Sequence, residues 1–78
     1  MRQIQILGTG CPKCTQLAAH TAAALEALGS DDEIVKVKDI QAIIAYGVML
    51  TPALAIDGEV KLSGRVPSVE ELKKILAK

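Results

Sequence analysis

Two cysteines are the residues of this sequence whose type and spacing point most directly to chemistry. Cys11 and Cys14 are the only cysteines of the chain, and Pro12 and Lys13 stand between them. A disulfide across so short a loop would stabilise the fold by only about 2 kcal/mol on the chain-entropy model. The pair is therefore interpreted as reactive thiols rather than as a structural cross-link.

The position of this Cys-x-x-Cys motif favours different roles for its two thiols. The motif follows a predicted strand and opens a predicted helix, where Pro12 suits the first helical position because its missing N–H needs no partner there. Cys11 is then the N-cap, where the helix dipole stabilises a thiolate and Lys13 adds a nearby positive charge. Cys14 falls on the predicted buried face. We predict that Cys11 is the catalytic nucleophile and that Cys14 resolves the mixed disulfide.

Thr51 and Pro52 form a second candidate site, immediately before an apolar segment. A proline is allowed at the first residue of a strand on steric grounds alone, so a purely structural role is the alternative. The functional hypothesis is a cis peptide bond that brings the Thr51 backbone beside Cys11, where it pairs with an extended stretch of substrate. The predicted substrate-binding residues are Pro12, Lys13, Thr51 and Pro52.

Metal binding is the first alternative for the cysteine pair. A closed metal site needs four ligands, and the motif supplies two. The single histidine, His20, falls on the opposite helix face and is predicted to be a solvated surface residue. A metal ion or an iron–sulfur cluster would therefore need Cys11 and Cys14 of a dimer, or an external thiol. A colourless, metal-free purified sample would count against this binding module, and our expectation is that the protein has no cofactor.

The first part of the chain predicts a strand and a long helix that present the cysteines. Residues 2–7 alternate polar and apolar until Gly8 breaks the pattern, which is typical of a strand followed by a turn. Residues 11–28 are rich in alanine, and Gly29 follows where a C-terminal cap is expected. The predicted buried face of this helix carries Cys14, Leu17, Ala18, Thr21, Leu25 and Leu28.

The rest of the chain predicts three further strands and two helices. Residues 34–37 are a β-branched strand, and a short helix follows between Asp39 and Gly47. Residues 53–56 and 59–62 flank Asp57-Gly58, a two-residue hairpin signal. Residues 68–71 form a capping box that opens the last helix. The apolar positions of the two helices are Ile40, Ile43, Ile44, Leu72, Ile75 and Leu76.

The resulting order, β-α-β-α-β-β-α, predicts a single α/β domain over residues 1–78. The first two strands should be parallel through a right-handed crossover, and the hairpin adds two antiparallel strands. Helices should cover both faces of the sheet. A copper chaperone, the second alternative for a cysteine pair after a first strand, has a fold that ends in a strand, whereas this chain ends in a capped helix.

Composition excludes several other classes of function. The 78 residues are 50% hydrophobic, and the 9 basic residues are balanced by 9 acidic ones. Without a basic excess, and with Tyr46 as the one aromatic residue, nucleic-acid binding is not expected. No segment has the length of a membrane helix or the pattern of a signal peptide. We therefore expect a cytoplasmic protein with no membrane partner.

Several motifs resemble those of the thioredoxin superfamily. The chain is similar to its smallest members, the redox-active disulfide proteins of archaea and bacteria that are also described as glutaredoxin-like thioredoxins. The resemblance covers nearly the full length, in the family's order and spacing. It is carried by residues 10–14, 46–48, 51–54 and 57–60, by Gly64 and by the final helix.

The resemblance implies a trimmed thioredoxin fold with a four-stranded mixed sheet. It implies a cis bond before Pro52, with Cys11 as nucleophile and Cys14 as resolving thiol. The implied activity is that of a protein-disulfide reductase, a monomeric electron carrier between an upstream reductase and target proteins with disulfides. The chain departs from thioredoxins proper at Gly10, where they have tryptophan, and at Gln5, where they have a buried aspartate.

Overall fold

The computed structural model describes residues 2–77, and they form seven elements in the predicted order. They are three helices and four strands, and the last two strands follow each other directly. The predicted bounds agree with the observed ones to within a residue or two. The elements are β1 (Gln3–Leu7), α1 (Pro12–Ala27), β2 (Glu33–Val37), α2 (Ile40–Ala45), β3 (Ala53–Ile56), β4 (Glu59–Ser63) and α3 (Val69–Leu76).

The four strands form one mixed sheet in the order β2-β1-β3-β4. β1 is central: it pairs in parallel with β2 and antiparallel with β3. β3 and β4 form the predicted hairpin, with an irregularity in register between Leu54 and Ala55. The predicted fold class, a trimmed thioredoxin fold with a parallel first pair of strands, is confirmed.

The helices cover both faces of the sheet because successive residues of β1 point in opposite directions. Ile4 and Ile6 pack in the larger core cluster with Leu17 of α1 and Leu72 of α3. Leu7, next along the strand, packs in a second cluster with residues of α2 and β3. The carboxyl end of β1, where the cysteine motif begins, is therefore held between helices on its two sides.

α1 buries a face close to the predicted one, except at its end. The buried residues are Cys14, Leu17, Thr21, Ala24 and Leu25. Leu28 was predicted on this face but is 38% exposed, because the helix stops at Ala27 and the chain turns away. Gly29 makes that turn with φ +65, and the N–H groups of Gly29 and Ser30 bond back to Glu26 and Leu25 as in a Schellman motif.

α2 forms where the sequence predicts it, and one of its three isoleucines is buried. Ile43 is buried against Leu7 and Ala53, but Ile40 and Ile44 are 57% and 60% exposed. A helix of 6 residues makes fewer than two turns, so it presents a single residue squarely to the sheet.

The last helix begins as predicted, but its capping box is only half formed. The Ser68 hydroxyl accepts a hydrogen bond from the Glu71 N–H at 3.1 Å. The Glu71 carboxylate does not complete the box by bonding the Ser68 N–H; it pairs with Arg65, which lowers the pKa of Glu71 from its ordinary value. The ion pair with Arg65 offers the carboxylate a charged donor, which outcompetes a neutral N–H.

Gln5 supports the hairpin turn rather than the cysteines. Its side chain is buried, and its amide oxygen accepts a hydrogen bond from the Gly58 N–H at 3.0 Å. Asp57 and Gly58 both have positive φ, as a two-residue hairpin turn of this kind requires. At the position where the resemblance implies an aspartate, this chain therefore has an amide committed to the turn between β3 and β4.

A cluster of charged and backbone groups closes the amino end of β1. The Arg2 guanidinium donates to Asp32 Oδ2 from two nitrogens, at 2.9 and 2.7 Å, and to the Leu76 carbonyl at 2.6 Å. The Arg2 backbone N–H donates to Asp32 Oδ1. The guanidinium holds the pKa of the buried Asp32 well below its usual range. We call these three residues the Arg2 cluster.

None of the helices within residues 2–77 combines the length and the apolar character needed to cross a membrane. The longest of them, α1, has 16 residues, with one face buried and the other exposed.

Candidate active site

The chain leaves β1 and reaches Cys11 through three residues, Gly8-Thr9-Gly10. Cys11 is extended, with φ −65 and ψ 164, and is the N-cap of α1. Its sulfur accepts a hydrogen bond from the Cys14 N–H at 3.3 Å, and Pro12 occupies the first helical turn. The predicted N-cap geometry is therefore present, with the sulfur at the positive end of the helix dipole.

The surroundings of Cys11 favour its thiolate. The pKa of Cys11 is lowered from its ordinary value, first by a hydrogen bond from the Cys14 thiol and then by the backbone N–H of Cys14. The backbone N–H of Lys13 adds to this effect. The sequence predicted that the side-chain charge of Lys13 stabilises the Cys11 thiolate, whereas in the structure Lys13 lowers the pKa of Cys11 through its backbone N–H.

Cys14 is in the opposite situation. It is 5% exposed, and burial raises the pKa of its thiol, as does its hydrogen bond to Cys11. A thiol of raised pKa stays protonated, so it can donate a hydrogen bond to the neighbouring sulfur. Both cysteines are free thiols, with Cys11 the more exposed of the two. The arrangement supplies one accessible sulfur activated for attack and one protected sulfur directly behind it.

Gly8 forms the surface against which the Cys14 sulfur lies. A Cβ atom built on Gly8 would overlap Cys14 Sγ and would lie 3.2 Å from Cys14 Cβ. The same Cβ position is 4.0 Å from Pro52 Cα. Gly8 therefore brings the buried thiol and the predicted proline together. The sequence indicated only a flexible turn here, because nothing in it shows which later residue packs on the glycine.

The Thr51–Pro52 peptide bond is cis, as the resemblance implies. Pro52 is buried, and its carbonyl accepts a hydrogen bond from the Gly64 N–H at 2.8 Å. Thr51 is exposed. Through Gly8, the structure brings Pro52 next to Cys14; the pairing of the Thr51 backbone with a substrate stays a prediction.

Two exposed apolar residues precede this bond. Met49 is 95% exposed and Leu50 is 63% exposed, and the Leu50 side chain lies over Gly64. The sequence analysis did not single them out. Their signal was available, because two large apolar side chains in a predicted loop next to a candidate site are typical of a contact surface.

A cavity of about 100 Å³ opens beside Cys14 on the α1 side of the sheet. The wall of this cavity is partly polar, because Lys36 and Lys38 at the end of β2 contribute to it. Its lining residues are Ile6, Gly8, Gly10, Cys14, Thr15, Ala18, Lys36 and Lys38.

His20 does not join the cysteines. Its Nδ1 lies 3.0 Å from the Pro67 carbonyl oxygen, and the residue is half-buried between α1 and the loop before α3. The predicted surface histidine therefore keeps part of its exposure, but it also contacts the Pro67 carbonyl, which the sequence did not predict. Within residues 2–77, no group of three or more potential metal-ligating side chains comes together.

Comparison with known proteins extends this description to the whole chain. Residues 2–77 match the family model described as thioredoxin domain. A thioredoxin of Methanothermobacter thermautotrophicus is 47% identical over 77 residues, which cover 99% of this chain and 100% of the relative. A thioredoxin of Methanocaldococcus jannaschii is 48% identical over 73 residues, which cover 94% of this chain and 84% of the relative.

Proposed function

Because the chain belongs to the thioredoxin family and is a thiol–disulfide oxidoreductase, we propose that it reduces disulfides of target proteins by dithiol exchange. Cys11 is the catalytic nucleophile and Cys14 is the resolving thiol. The observation that carries the proposal is the opposite perturbation of the two sulfurs, with the pKa of Cys11 lowered and the pKa of Cys14 raised. A compartment that keeps thiols reduced, such as the cytoplasm, suits this direction of electron flow.

The first step forms a mixed disulfide. The Cys11 thiolate attacks one sulfur of the target disulfide, so that a bond from Cys11 to the target forms and the target S–S bond breaks. The departing target sulfur takes the bonding electron pair and then a proton from water. The hydrogen bonds from Cys14 stabilise the Cys11 thiolate before attack.

The second step releases the target. Cys14 gives up its proton to water and attacks the Cys11 sulfur, which forms the Cys11–Cys14 disulfide and expels the second target sulfur as a thiolate that takes a proton from water. Two electrons have then passed to the target, and an upstream reductase returns them to the protein. Once Cys11 has formed the mixed disulfide, its sulfur is no longer a negatively charged acceptor, so the thiol of Cys14 is freed from the hydrogen bond that held its proton.

The surface around the thiols suits a polypeptide. Pro12 and Lys13 are exposed next to Cys11, and Thr51 is exposed next to the buried Pro52. Met49 extends this surface with an exposed apolar side chain. Extended chains bind through main-chain pairing together with apolar side-chain contacts, so these residues form the proposed substrate-binding surface.

The test compares a protein disulfide with a small one. With dithiothreitol as electron source, the protein should reduce insulin disulfides, and Cys11→Ser should not. Met49→Ser should slow the reduction of insulin but not that of a small aromatic disulfide, since only the polypeptide reaches the apolar surface. Leu28→Ser is the matched control, because Leu28 is an exposed apolar residue beside the Arg2 cluster. Failure of the parent protein to reduce insulin would contradict the proposed function.

A further inference from the structure

The backbone conformation at Gly8 does not require a glycine. Positive φ values, which favour glycine, occur at Gly10, Gly29, Gly47 and Gly58, but not at Gly8. The space beside Gly8, however, is filled. A Cβ atom there would overlap the sulfur of Cys14, whereas the other glycines just named have no atom within 4 Å of such a Cβ.

We propose that Gly8 is a positioning residue for the resolving step: the missing side chain lets the Cys14 sulfur lie against the end of β1, within reach of Cys11. This inference rests on the proposed dithiol exchange. It assigns the control of the second step to one residue just after β1. The first step, attack by Cys11, should change only as far as the Cys11 thiolate loses its hydrogen bond from the Cys14 thiol.

The surrounding structure leaves the sulfur as the part that must yield. The Gly8 N–H is bonded to the Val37 carbonyl at 3.0 Å, which anchors the end of β1 to β2. On the other side, α1 is anchored by Leu17, which is fully buried in the core. Pro52 does not conflict with an added methyl group, since its Cα lies at an ordinary contact distance of 4.0 Å. Rotation of the Cys14 side chain therefore relieves the overlap of a methyl group at position 8 with the sulfur. The Cys14 Cβ, 3.2 Å from that methyl position, must in addition shift by a few tenths of an ångström.

Room for that rotation exists in the neighbouring cavity. Gly8 and Cys14 both line this space of about 100 Å³, together with residues of α1 and the end of β2. A sulfur that turns into the cavity leaves its position beside the Cys11 sulfur. Disulfide bonds tolerate only a narrow range of Cβ separations and torsions, so the displaced thiol attacks less often and forms a less stable bond.

The experiment measures the second step on its own. Cys11 of Gly8→Ala is converted to a mixed disulfide with a small thiol, and the release of that thiol is followed in time. We expect release to be slower than in the parent by roughly tenfold or more, as misplacement of a reacting group causes. The Cys11–Cys14 disulfide should also be reduced more readily in equilibrium with dithiothreitol.

Two measurements separate positioning from general damage. Alkylation of Cys11 at a pH well above its pKa, where the thiolate is fully formed, should match the parent rate in Gly8→Ala. Gly29→Ala is the matched control, because Gly29 has φ +65 and no atom within 4 Å of a Cβ. That substitution should lower the unfolding temperature yet leave the release rate unchanged.

A third measurement covers the case in which Gly8→Ala folds poorly. In a Cys14→Ala background the overlapping sulfur is gone, so Gly8→Ala should cost less stability there than in the parent. Release at the parent rate, an equal slowing by Gly29→Ala, or an unchanged stability cost in the Cys14→Ala background would overturn the role of Gly8. Failure of the parent protein to release the small thiol would instead contradict dithiol exchange itself.

Discussion

At the carboxyl end of β1, the Cys14 N–H donates a hydrogen bond to the Cys11 sulfur across one helical turn, whereas at the amino end Arg2 donates hydrogen bonds to residues 30 and 74 positions away. The first contact is local and joins two cysteines at the start of one helix. The second set is long-range and joins the residue before β1, the segment before β2 and the end of α3.

The difference separates reactivity from stability. The local bonds at the cysteines change which sulfur carries charge, but they connect no distant parts of the chain. The bonds of the Arg2 cluster connect three elements and involve the buried Asp32 carboxylate. We therefore expect substitutions at the cysteines to change rates more than stability, and substitutions in the Arg2 cluster to do the reverse.

The largest expected effect is that of Cys14→Ser. Attack by Cys11 should remain, but the resolving thiol is gone, so steady-state reduction of a protein disulfide should fall to the background rate. Adducts between Cys11 and the target should accumulate and be visible by mass spectrometry. Turnover at the parent rate would show that the second step does not use Cys14.

The next effect is the difference in reactivity between the two thiols. Alkylation requires the thiolate, and the pKa of Cys11 is lowered while that of Cys14 is raised. Near neutral pH, iodoacetamide should label Cys11 faster than Cys14 by on the order of tenfold or more. With rising pH, the Cys11 rate should level off below the ordinary thiol value of about 8.5. Peptide-resolved labelling measures both rates, and faster labelling of Cys14 would reverse the assigned roles.

Asp32→Asn tests the other end of the comparison. Arg2 lowers the pKa of Asp32, so its stabilisation is complete above the unfolded-state pKa, about 4, and is lost as pH falls further. The variant should unfold several degrees below the parent at neutral pH, and this gap should close in acid. Thermal unfolding followed by circular dichroism gives both results.

Two controls make the Asp32 result specific. Glu59→Gln removes an exposed ion pair with Lys61 and should change the free energy of unfolding by less than about 1 kcal/mol. The rate of Cys11 alkylation in Asp32→Asn should equal that of the parent. A large loss of Cys11 reactivity would mean that the two ends of β1 are coupled.

The smallest expected effect is that of Ser68→Ala, which removes the N-cap hydroxyl of α3. Loss of a serine cap lowers the free energy of unfolding by about 1 kcal/mol. Because the cap is local but distant from the thiols in sequence, both thiol reaction rates should be unchanged. Chemical denaturation measures the stability, and no change at all would indicate that water replaces the hydroxyl without cost.

The elements were predictable because their signals are local. Asp57-Gly58 needs positive φ values, and Pro12 and Ser68 mark helix starts, so neighbouring residues alone define those bounds. The N-cap position of Cys11 follows from the same local chemistry. The exposure of Leu28 at the end of α1 was missed because burial depends on how far the helix extends over the sheet.

The contacts that the sequence did not predict are those between distant residues. Three such contacts depend on the register of packed elements: those of Gly8 with Cys14, Gln5 with Gly58 and His20 with Pro67. A glycine, an amide or a histidine is compatible with many such partners. Only the folded arrangement selects one, which is why the candidate thiols were found from the sequence and the residue that positions them was not.

The bond from Arg2 to the Leu76 carbonyl has a consequence for how this protein can be joined to others. It brings the first described residue beside the last residue of α3, at the end of the sheet away from Cys11. β1 has 5 residues, so about 16 Å of strand separates that end from the thiols. A fusion partner at either terminus, or insertion of the whole chain into a loop of a host protein, would therefore leave the redox surface uncovered.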